Sequence, residues 1–456
     1  MNFIKRDIYK IFCFLICSSS FHTAFSQEHA HPHDHSHPHD HAVAMNLDVK
    51  VLLPAAHPDR IILNLTATPE TSIAVNWRTD TTVTKGEIQV ALATDGTQFV
   101  KNVRTIKATT EYLKVKYLEE PEIKANYHSG IIDNLTPGAL YVYRVGNDKH
   151  FSEWFQFRMP KSTAGRPLSF LYFGDAQNDV KSHWSRVVRE AYKTMPEVAF
   201  MLHAGDLINR NDHDVEWGEW FHAGSYIHAT VPSVMTPGNH EYGKGKLSPQ
   251  WRKQYNLPTN GPKGLEETCY EVNYSDLKVI SLNAEEIDES EHFANAQAKW
   301  LDSVLTHNPR KWTAITLHYP FYSTKPNRDN IELRKRFKPI IDKHKVDIIL
   351  QGHDHAYGRG MVSNSVKVEA NKSQQSGTVY VVSVSGPKMY DISDDPWMSR
   401  KASNTQLFQL LTVEGDMLTY KAFTATGELY DAFDLKKRAG KANQLVNKIP
   451  KTPEKN

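Results

Sequence analysis

The hydrophobic pattern of this 456-residue chain changes its period between residues 160 and 168, and this change constrains the fold more than any other feature. Residues 57–160 form short runs in which apolar and polar side chains alternate, separated by turn signals such as Pro137-Gly138. Alternation with period two is typical of β-strands that bury one face. The pattern predicts a small all-β sandwich of about 100 residues.

Beyond a polar linker at residues 161–167, strand-like runs alternate with helical patterns, which indicates a larger layered α/β domain. The predicted strands of its first part are 168–173, 198–203, 231–236, 278–283, 312–317 and 346–350. Helical spacing of apolar residues is clear at 184–192 and 297–305. Three later runs are predicted to be antiparallel strands: 407–413, 418–423 and 428–433.

Composition excludes two classes of protein. The 54 Lys and Arg residues nearly balance the 52 Asp and Glu residues, so the chain has no broad basic field and no nucleic-acid-binding surface is predicted. No run approaches the roughly 18 apolar residues of a membrane span, so no transmembrane segment is predicted. The 40% hydrophobic content is sufficient for two cores.

The first 26 residues have the features of a signal peptide. A basic start precedes an apolar stretch, and Ala24-Phe25-Ser26 fits a small-x-small cleavage rule. We predict cleavage after Ser26 and a secreted or periplasmic location. A lipid anchor on Cys17 is the alternative.

The two ends of the remaining chain are of low complexity. Residues 27–56 are predicted to be a linker in which histidine occupies every odd position from 29 to 41. Imidazoles at this spacing can chelate borderline metal ions, and the alternative is a solvated linker of biased composition. Residues 436–456 are polar and basic and are predicted to be a disordered tail.

Metal-binding types of side chain follow five of the predicted strands. They are Asp175, Asp206, Asn239, His318, His353 and His355. Because the carboxyl ends of strands in an open α/β sheet share one edge, these residues can converge although they are far apart in sequence. Two metal ions about 3.5 to 4 Å apart need a bridging carboxylate, and imidazoles and an amide oxygen complete their shells. The set predicts a two-metal hydrolytic centre.

The blocks around these residues resemble those of the calcineurin-like metallophosphoesterases. The blocks are Gly174-Asp175, Gly205-Asp206, Gly238-Asn239-His240-Glu241, His318 and Gly352-His353-Asp354-His355. With the sandwich in front, the chain resembles the purple acid phosphatase-like subgroup with an N-terminal fibronectin type III-like domain. The resemblance implies a fibronectin III-like sandwich at 57–160 and a metallophosphoesterase domain at 161–435.

The resemblance also implies two metal ions, either Fe, Zn or Mn, with Asp206 as the bridge. The implied ligands of the first ion are Asp175, Asp206 and His355, and those of the second are Asp206, Asn239, His318 and His353.

Some positions depart from the purple acid phosphatase pattern. The tyrosine that ligates ferric iron and gives the colour is replaced by Asn209, so no purple chromophore is predicted. Gln177 stands where the motif has glycine. Asn327 and Arg328 replace histidines that some members carry after the metal-binding histidine.

Two residues are candidates for catalysis beside the metal ions. His240 is predicted to bind phosphate and to protonate the leaving alkoxide while a metal-bridging hydroxide attacks phosphorus. Arg210 follows Asp206 as in the Ser/Thr phosphatase pattern, in which an arginine clamps phosphate, and a structural ion pair is the alternative. His203 and Asp354 either orient the ligands or serve in packing.

The predicted function is an exported, acid phosphatase-like hydrolase of small phosphomonoesters. A phosphodiesterase or nucleotidase is the alternative, because the same metal centre activates water regardless of the second ester. A non-catalytic metal-binding surface protein that uses the histidine tract is a third class.

Overall fold

The computed structural model describes residues 49–118, 121–161, 167–362 and 373–455. The predicted signal peptide at 1–26, the histidine tract at 29–41 and residues 162–166 of the predicted linker lie outside them. Within the described part of the chain, no helix is both long and apolar enough to cross a membrane.

Eight strands form the sandwich that the alternating pattern predicts. They are β1 (Asp59–Leu65), β2 (Ile73–Thr79), β3 (Glu87–Leu92), β4 (Arg104–Lys107), β5 (Thr109–Val115), β6 (Ile123–Ile132), β7 (Leu140–Gly146) and β8 (Phe155–Arg158). Strands β1-β2-β6-β5 form one sheet and strands β4-β3-β7-β8 form the other. The two sheets face each other across a core that contains Val75, Trp77 and Tyr143. The Tyr141 hydroxyl accepts the backbone N–H of Thr136 at 2.8 Å, which is a tyrosine corner.

The rest of the described chain is a layered α/β domain, which confirms the predicted fold class. Its strands are β9 (Leu168–Phe173), β10 (Phe200–His203), β11 (Ser233–Met235), β12 (Tyr242–Gly243), β13 (Lys246–Leu247), β14 (Tyr270–Tyr274), β15 (Leu277–Ser281), β16 (Trp312–Thr316), β17 (Ile348–Gln351), β18 (Tyr357–Gly360), β19 (Ser373–Gln375), β20 (Val379–Val382), β21 (Met398–Ala402), β22 (Leu407–Glu414), β23 (Met417–Thr424), β24 (Leu429–Lys436) and β25 (Gln444–Asn447). Its helices are α1 (Val180–Thr194), α2 (Asp214–Gly224), α3 (Trp251–Gln254), α4 (Ala284–Glu289), α5 (Glu291–Thr306) and α6 (Ile331–His344).

The domain is built on two packed sheets. Strands β9, β10 and β11 are parallel in the first sheet, and β15, β16, β17 and β20 are parallel in the second. Successive residues of a strand point to opposite faces. Accordingly, Val279 and Ala314 of the second sheet share a core with the first sheet, whereas Ile280 and Ile315 pack with α5 and α6 on the other face.

One sheet runs through both domains, which the sequence pattern does not predict. Strand β1 of the sandwich pairs in parallel with β11, with Asn64 opposite Ser233. The resulting order of twelve strands is β19-β25-β24-β23-β22-β9-β10-β11-β1-β2-β6-β5. The pairing covers two edges that would otherwise expose unpaired backbone groups.

A buried cluster of ion pairs also joins the domains. The carboxylate of Asp214 in α2 lies 2.7 Å from the Arg60 guanidinium and 3.0 Å from that of Arg78, both on sandwich strands. Gln250 donates to the other oxygen of Asp214 at 3.0 Å. Arg60, Arg78 and Asp214 are almost fully buried. Asp59 also pairs with Arg78 and is partly exposed.

The prediction of a disordered tail at 436–456 is wrong for its central part. Residues Gln444–Asn447 form β25, which pairs antiparallel with β24, and Leu445 is buried. The side-chain oxygen of Asn447 accepts a hydrogen bond from the buried Arg359 at 3.0 Å. The basic residues on either side of this short run conceal its strand pattern in the sequence.

Buried neutral histidine makes the stability of the sandwich depend on pH. His128 lies between the hydroxyls of Thr79 and Thr110 and stacks on Trp77, and burial lowers its pKa to about 4. An unfolded histidine, with a pKa near 6.5, takes up a proton before the folded one does, so this contribution is complete above pH 6.5 and is lost as the pH falls towards 4.

We therefore expect the free energy of unfolding of the wild type to fall by about 2 kcal/mol relative to that of H128N when the pH is lowered from 7 to 5, at 1.36 kcal/mol per pKa unit. Urea unfolding of both proteins at the two pH values measures this difference. If the free energy of unfolding of the wild type does not fall relative to that of H128N, His128 is protonated in the folded chain.

Candidate dinuclear metal centre

The six candidate ligands come from loops at the carboxyl ends of parallel strands in both sheets. Asp175, Asp206 and Asn239 follow β9, β10 and β11, whereas His318 follows β16 and both His353 and His355 follow β17. The sequence analysis placed them along the edge of one open sheet. In the structure, two packed sheets each contribute three of them, and all six come together.

Four of these side chains form one compact group. The Oδ1 atom of Asn239 lies 3.1 Å from Nε2 of His318 and 3.1 Å from Nδ1 of His353, and the two ring nitrogens are 3.2 Å apart. Oδ2 of Asp206 lies 3.1 Å from the same His318 nitrogen. Neighbouring ligands of an ion with bonds of about 2.0–2.1 Å have this spacing, so the donor set fits a metal ion.

The second group shares Asp206 with the first. Ligand atoms of Asp175, Asp206 and His355 all lie within 4.8 Å of one another, and those of Asp206, His318 and His353 do so as well. All members of the second group are buried, and in the first group His318 is buried whereas His353 is half-buried. Among the described residues, Asp206 is therefore the carboxylate that belongs to both groups.

Hydrogen bonds on the far side of the rings fix the orientation of two histidines. Nδ1 of His318 donates to the carbonyl of Ala204 at 2.8 Å, and Nδ1 of His355 donates to the carbonyl of Lys388 at 3.0 Å. Each bond directs Nε2 towards the cluster, which is how proteins orient an imidazole ligand.

The backbone is strained at the ligands themselves. Asp206, His353 and His355 have positive φ angles of 52°, 76° and 48°, which non-glycine residues rarely adopt. Gly205, with φ of 90°, precedes Asp206, and a Cβ atom there would lie 2.7 Å from Nδ1 of His318. Close approach of the loops thus requires the glycine that the sequence shows.

Burial and mutual repulsion shift the acid-base properties of the cluster. Burial, with help from the Asp206 charge, raises the pKa of Asp175 to about 8 against the opposing effect of His318. Burial lowers the pKa of His318, but Asp206 and Asp175 outweigh it and raise the pKa to about 10. A metal ion must displace this proton, so metal affinity should rise with pH.

Comparison with known families agrees with this geometry. A family model described as calcineurin-like phosphoesterase matches residues 168–357, a range that includes all six candidate ligands. These residues form a calcineurin-like phosphoesterase domain. A second model, described as the N-terminal domain of purple acid phosphatase, matches residues 58–159, which cover the sandwich.

The relatives of this chain are distant in sequence. Probable purple acid phosphatase 20 of Arabidopsis thaliana is 25% identical over 272 residues, which are 56% of this chain and 60% of that protein. Acid phosphatase type 7 of Homo sapiens is 25% identical over 67% of this chain and 71% of its own length. Purple acid phosphatase PPD1 from yellow lupin has the same fold. Its structure superimposes on 84% of this chain and 75% of the lupin chain, with a TM-score of 0.69 and 18% sequence identity.

His240 lies beside Asp206 of the candidate metal centre. Its Nδ1 donates to the carbonyl of Asn209 at 2.7 Å, and its Nε2 lies 4.0 Å from Oδ2 of Asp206. The ring is 14% exposed, so one edge can meet a substrate.

Arg210, by contrast, is not brought to the cluster. Its Nε donates to Glu216 at 2.7 Å and its Nη1 donates to the hydroxyl of Tyr117 at 3.0 Å. These contacts match the alternative prediction of a structural ion pair, because Glu216 pairs with the guanidinium and Tyr117 of the sandwich lies against it.

Asp354 and His203, the two residues predicted either to orient the ligands or to serve in packing, have different surroundings. Asp354 is buried and accepts hydrogen bonds from the hydroxyl of Ser323, the N–H of Thr324 and Nη1 of Arg328, so it holds the loop that follows β16. His203 packs among aromatic rings, and neither of its ring nitrogens has a hydrogen-bond partner among the described residues.

The sequence analysis assigned no role to Glu241 and Gln177, although both touch the centre. The buried carboxylate of Glu241 accepts the N–H groups of Asp206, Leu207 and Gly238 at 2.7–2.9 Å, so it holds two ligand loops together. Nε2 of Gln177 lies 3.1 Å from Oδ2 of Asp206 and 2.8 Å from Nε2 of His355. Glu241 was visible as the last residue of its block.

Proposed function

We propose that the chain is a metal-dependent hydrolase of phosphomonoesters, similar in activity to the acid phosphatases. The observation that carries the proposal is that Asp206 belongs to both candidate metal groups. Export, which the pattern of residues 1–26 indicates, is part of the proposal. The similarity to proteins named as acid phosphatases supports the substrate class.

The two ions would be held by the six residues described above and, when bound, would supply the Lewis acidity that activates water and neutralises phosphoryl charge. In its doubly protonated, imidazolium form, His240 binds a phosphate oxygen and delivers the proton of Nε2 to the leaving alkoxide, because the N–H of Nδ1 is already committed to the carbonyl of Asn209. Glu241 keeps the loops of Asp206 and Asn239 in register.

Hydrolysis of two chromogenic esters tests the substrate class. The metal-loaded full chain is assayed with p-nitrophenyl phosphate and bis(p-nitrophenyl) phosphate. We expect a higher kcat/KM for the monoester. A higher value for the diester would replace the proposal with the phosphodiesterase alternative.

H240A should lower kcat for an alkyl phosphate by about 10²- to 10⁴-fold, which is the usual contribution of a general acid. Its effect on p-nitrophenyl phosphate should be smaller, since that leaving group needs no proton. R210M is the matched control and should leave both rates within about threefold, because the contacts of Arg210 go to Glu216 and Tyr117. Equal losses by H240A on both substrates would contradict the role in proton transfer.

A further inference from the structure

Gln177 is held inside the metal centre by both its backbone and its side chain. Its backbone N–H donates to the carbonyl of Asp206 at 3.0 Å. The side-chain nitrogen Nε2 lies 3.1 Å from Oδ2 of Asp206 and 2.8 Å from Nε2 of His355. The residue is 1% exposed. We call Asp175, Asp206 and His355 the three-ligand group, and the amide of Gln177 points at two of its members.

The spacing of these contacts is that of neighbouring metal ligands. Two ligand atoms at right angles to each other on an ion, with bonds of about 2.0–2.2 Å, are about 2.8–3.1 Å apart. The two distances from Nε2 of Gln177 have these values. Oδ1 of Asp175 lies 3.6 Å from the same nitrogen of His355. The amide of Gln177 thus stands at a fourth ligand position of the three-ligand group.

The oxygen of this amide can fill that position, whereas the nitrogen cannot. Amide N–H groups are donors without a lone pair for a cation, but carbonyl oxygens are common metal ligands. A turn of 180° about the Cγ–Cδ bond exchanges the two atoms and keeps the shape of the side chain. Oε1 of Gln177 is buried and has no hydrogen-bond partner among the described residues, so the turn breaks no contact of that atom. The side chain can therefore present its oxygen to the three-ligand group.

The other candidate metal group already contains a side-chain amide oxygen. Oδ1 of Asn239 lies 3.1 Å from Nε2 of His318 and 3.1 Å from Nδ1 of His353. These distances are close to those of the Gln177 amide. With Gln177 included, each metal group consists of four side chains, of which one is the shared Asp206 and one is an amide.

We propose that Gln177 is a seventh ligand of the metal centre and binds through Oε1 to the ion of the three-ligand group. The inference rests on the metal centre of the proposed function but not on the substrate that the centre hydrolyses. An amide oxygen carries no charge, so it fills a ligand position without neutralising the ion as a third carboxylate would. The ion then keeps the Lewis acidity that phosphoester hydrolysis needs.

Zn²⁺ titration calorimetry of the full chain and of the variant Q177L tests this assignment. Leucine fills a similar space and offers no ligand atom. We expect the wild type to bind two Zn²⁺ ions, and Q177L to bind one of them with a Kd that is about tenfold to a hundredfold higher. If the amide only donates hydrogen bonds to Asp206 and His355, Zn²⁺ has to break those bonds. Q177L would then bind Zn²⁺ as tightly as the wild type or more tightly, which would overturn the proposal.

Q177E restores an oxygen at the same reach and should bind both ions at least as tightly as the wild type. The exposed Gln98 of the sandwich provides the matched control, and Q98A should leave both Kd values unchanged. Thermal unfolding verifies that the variants are folded. A folded Q177E that loses the same ion as Q177L would contradict a ligand at this position.

A crystal structure of the wild-type chain grown with Zn²⁺ needs no variant and no assay. We expect one amide atom of Gln177 to lie about 2.0–2.2 Å from an ion that Asp175, Asp206 and His355 also bind. An amide that touches neither ion would overturn the proposal. If the same chain binds two ions in this way and hydrolyses no phosphoester, the proposed function fails and the assignment of Gln177 stands.

Discussion

D206N should lower kcat/KM for p-nitrophenyl phosphate by about 10³-fold or more and reduce the bound metal below two ions per chain. The carboxylate of Asp206 is the only ligand common to both metal groups of the described residues. An amide keeps the shape of the side chain and can still accept the N–H of His240, but it carries no charge to hold two cations. Loss of several kcal/mol of charge stabilisation corresponds to this factor at 1.36 kcal/mol per decade.

Metal analysis and kinetics on the same D206N sample measure both effects. D95N, an exposed aspartate of the sandwich, is the matched control and should retain activity and metal. Thermal unfolding verifies that D206N is folded. A folded D206N that binds two ions and hydrolyses the ester at the wild-type rate would exclude Asp206 as the bridge.

D214A should destabilise the chain by about 3–5 kcal/mol, the cost of leaving buried charges without their partner. Asp214 is 5% exposed and pairs with Arg60 and Arg78, which are 3% and 1% exposed. Burial by itself would raise the pKa of Asp214, but the two arginines outweigh it and lower the pKa. Removal of the carboxylate therefore leaves the buried guanidinium of Arg60 without its ion pair and leaves that of Arg78 with Asp59 alone.

Urea unfolding of D214A and D133A at pH 7 measures this cost. The ion pair of Asp133 with Arg104 is exposed on both sides, so D133A should change the free energy of unfolding by no more than about 1 kcal/mol. Equal, small effects of the two substitutions would show that the Asp214 cluster does not hold the domains together.

The sequence predicts what depends on local pattern. The period of apolar residues locates β9 and α5, because burial of one face imposes that period along each element. The six candidate ligands could be found since each follows a strand that the pattern reveals. The division of these ligands between two sheets could not be predicted, because the hydrophobic pattern of a strand does not show which strands it pairs with.

Features that depend on remote partners escape the sequence. The pairing of β1 with β11 and the ion pair of Arg210 with Glu216 both join groups whose proximity only the fold decides. Strand β20 was not predicted, so the loop beyond it, in which the carbonyl of Lys388 orients His355, was not identified as part of the site. A search for polar residues after this further apolar run would have found it.

We propose that two metal ions held around Asp206 make the chain a phosphomonoesterase. The most direct measurement is a titration of the metal-free full chain with Zn²⁺, Mn²⁺ or Fe²⁺ while phosphate release from p-nitrophenyl phosphate is followed. We expect activity to rise with bound metal and to reach its plateau at two ions per chain. A chain that holds two ions and hydrolyses no phosphoester would contradict it.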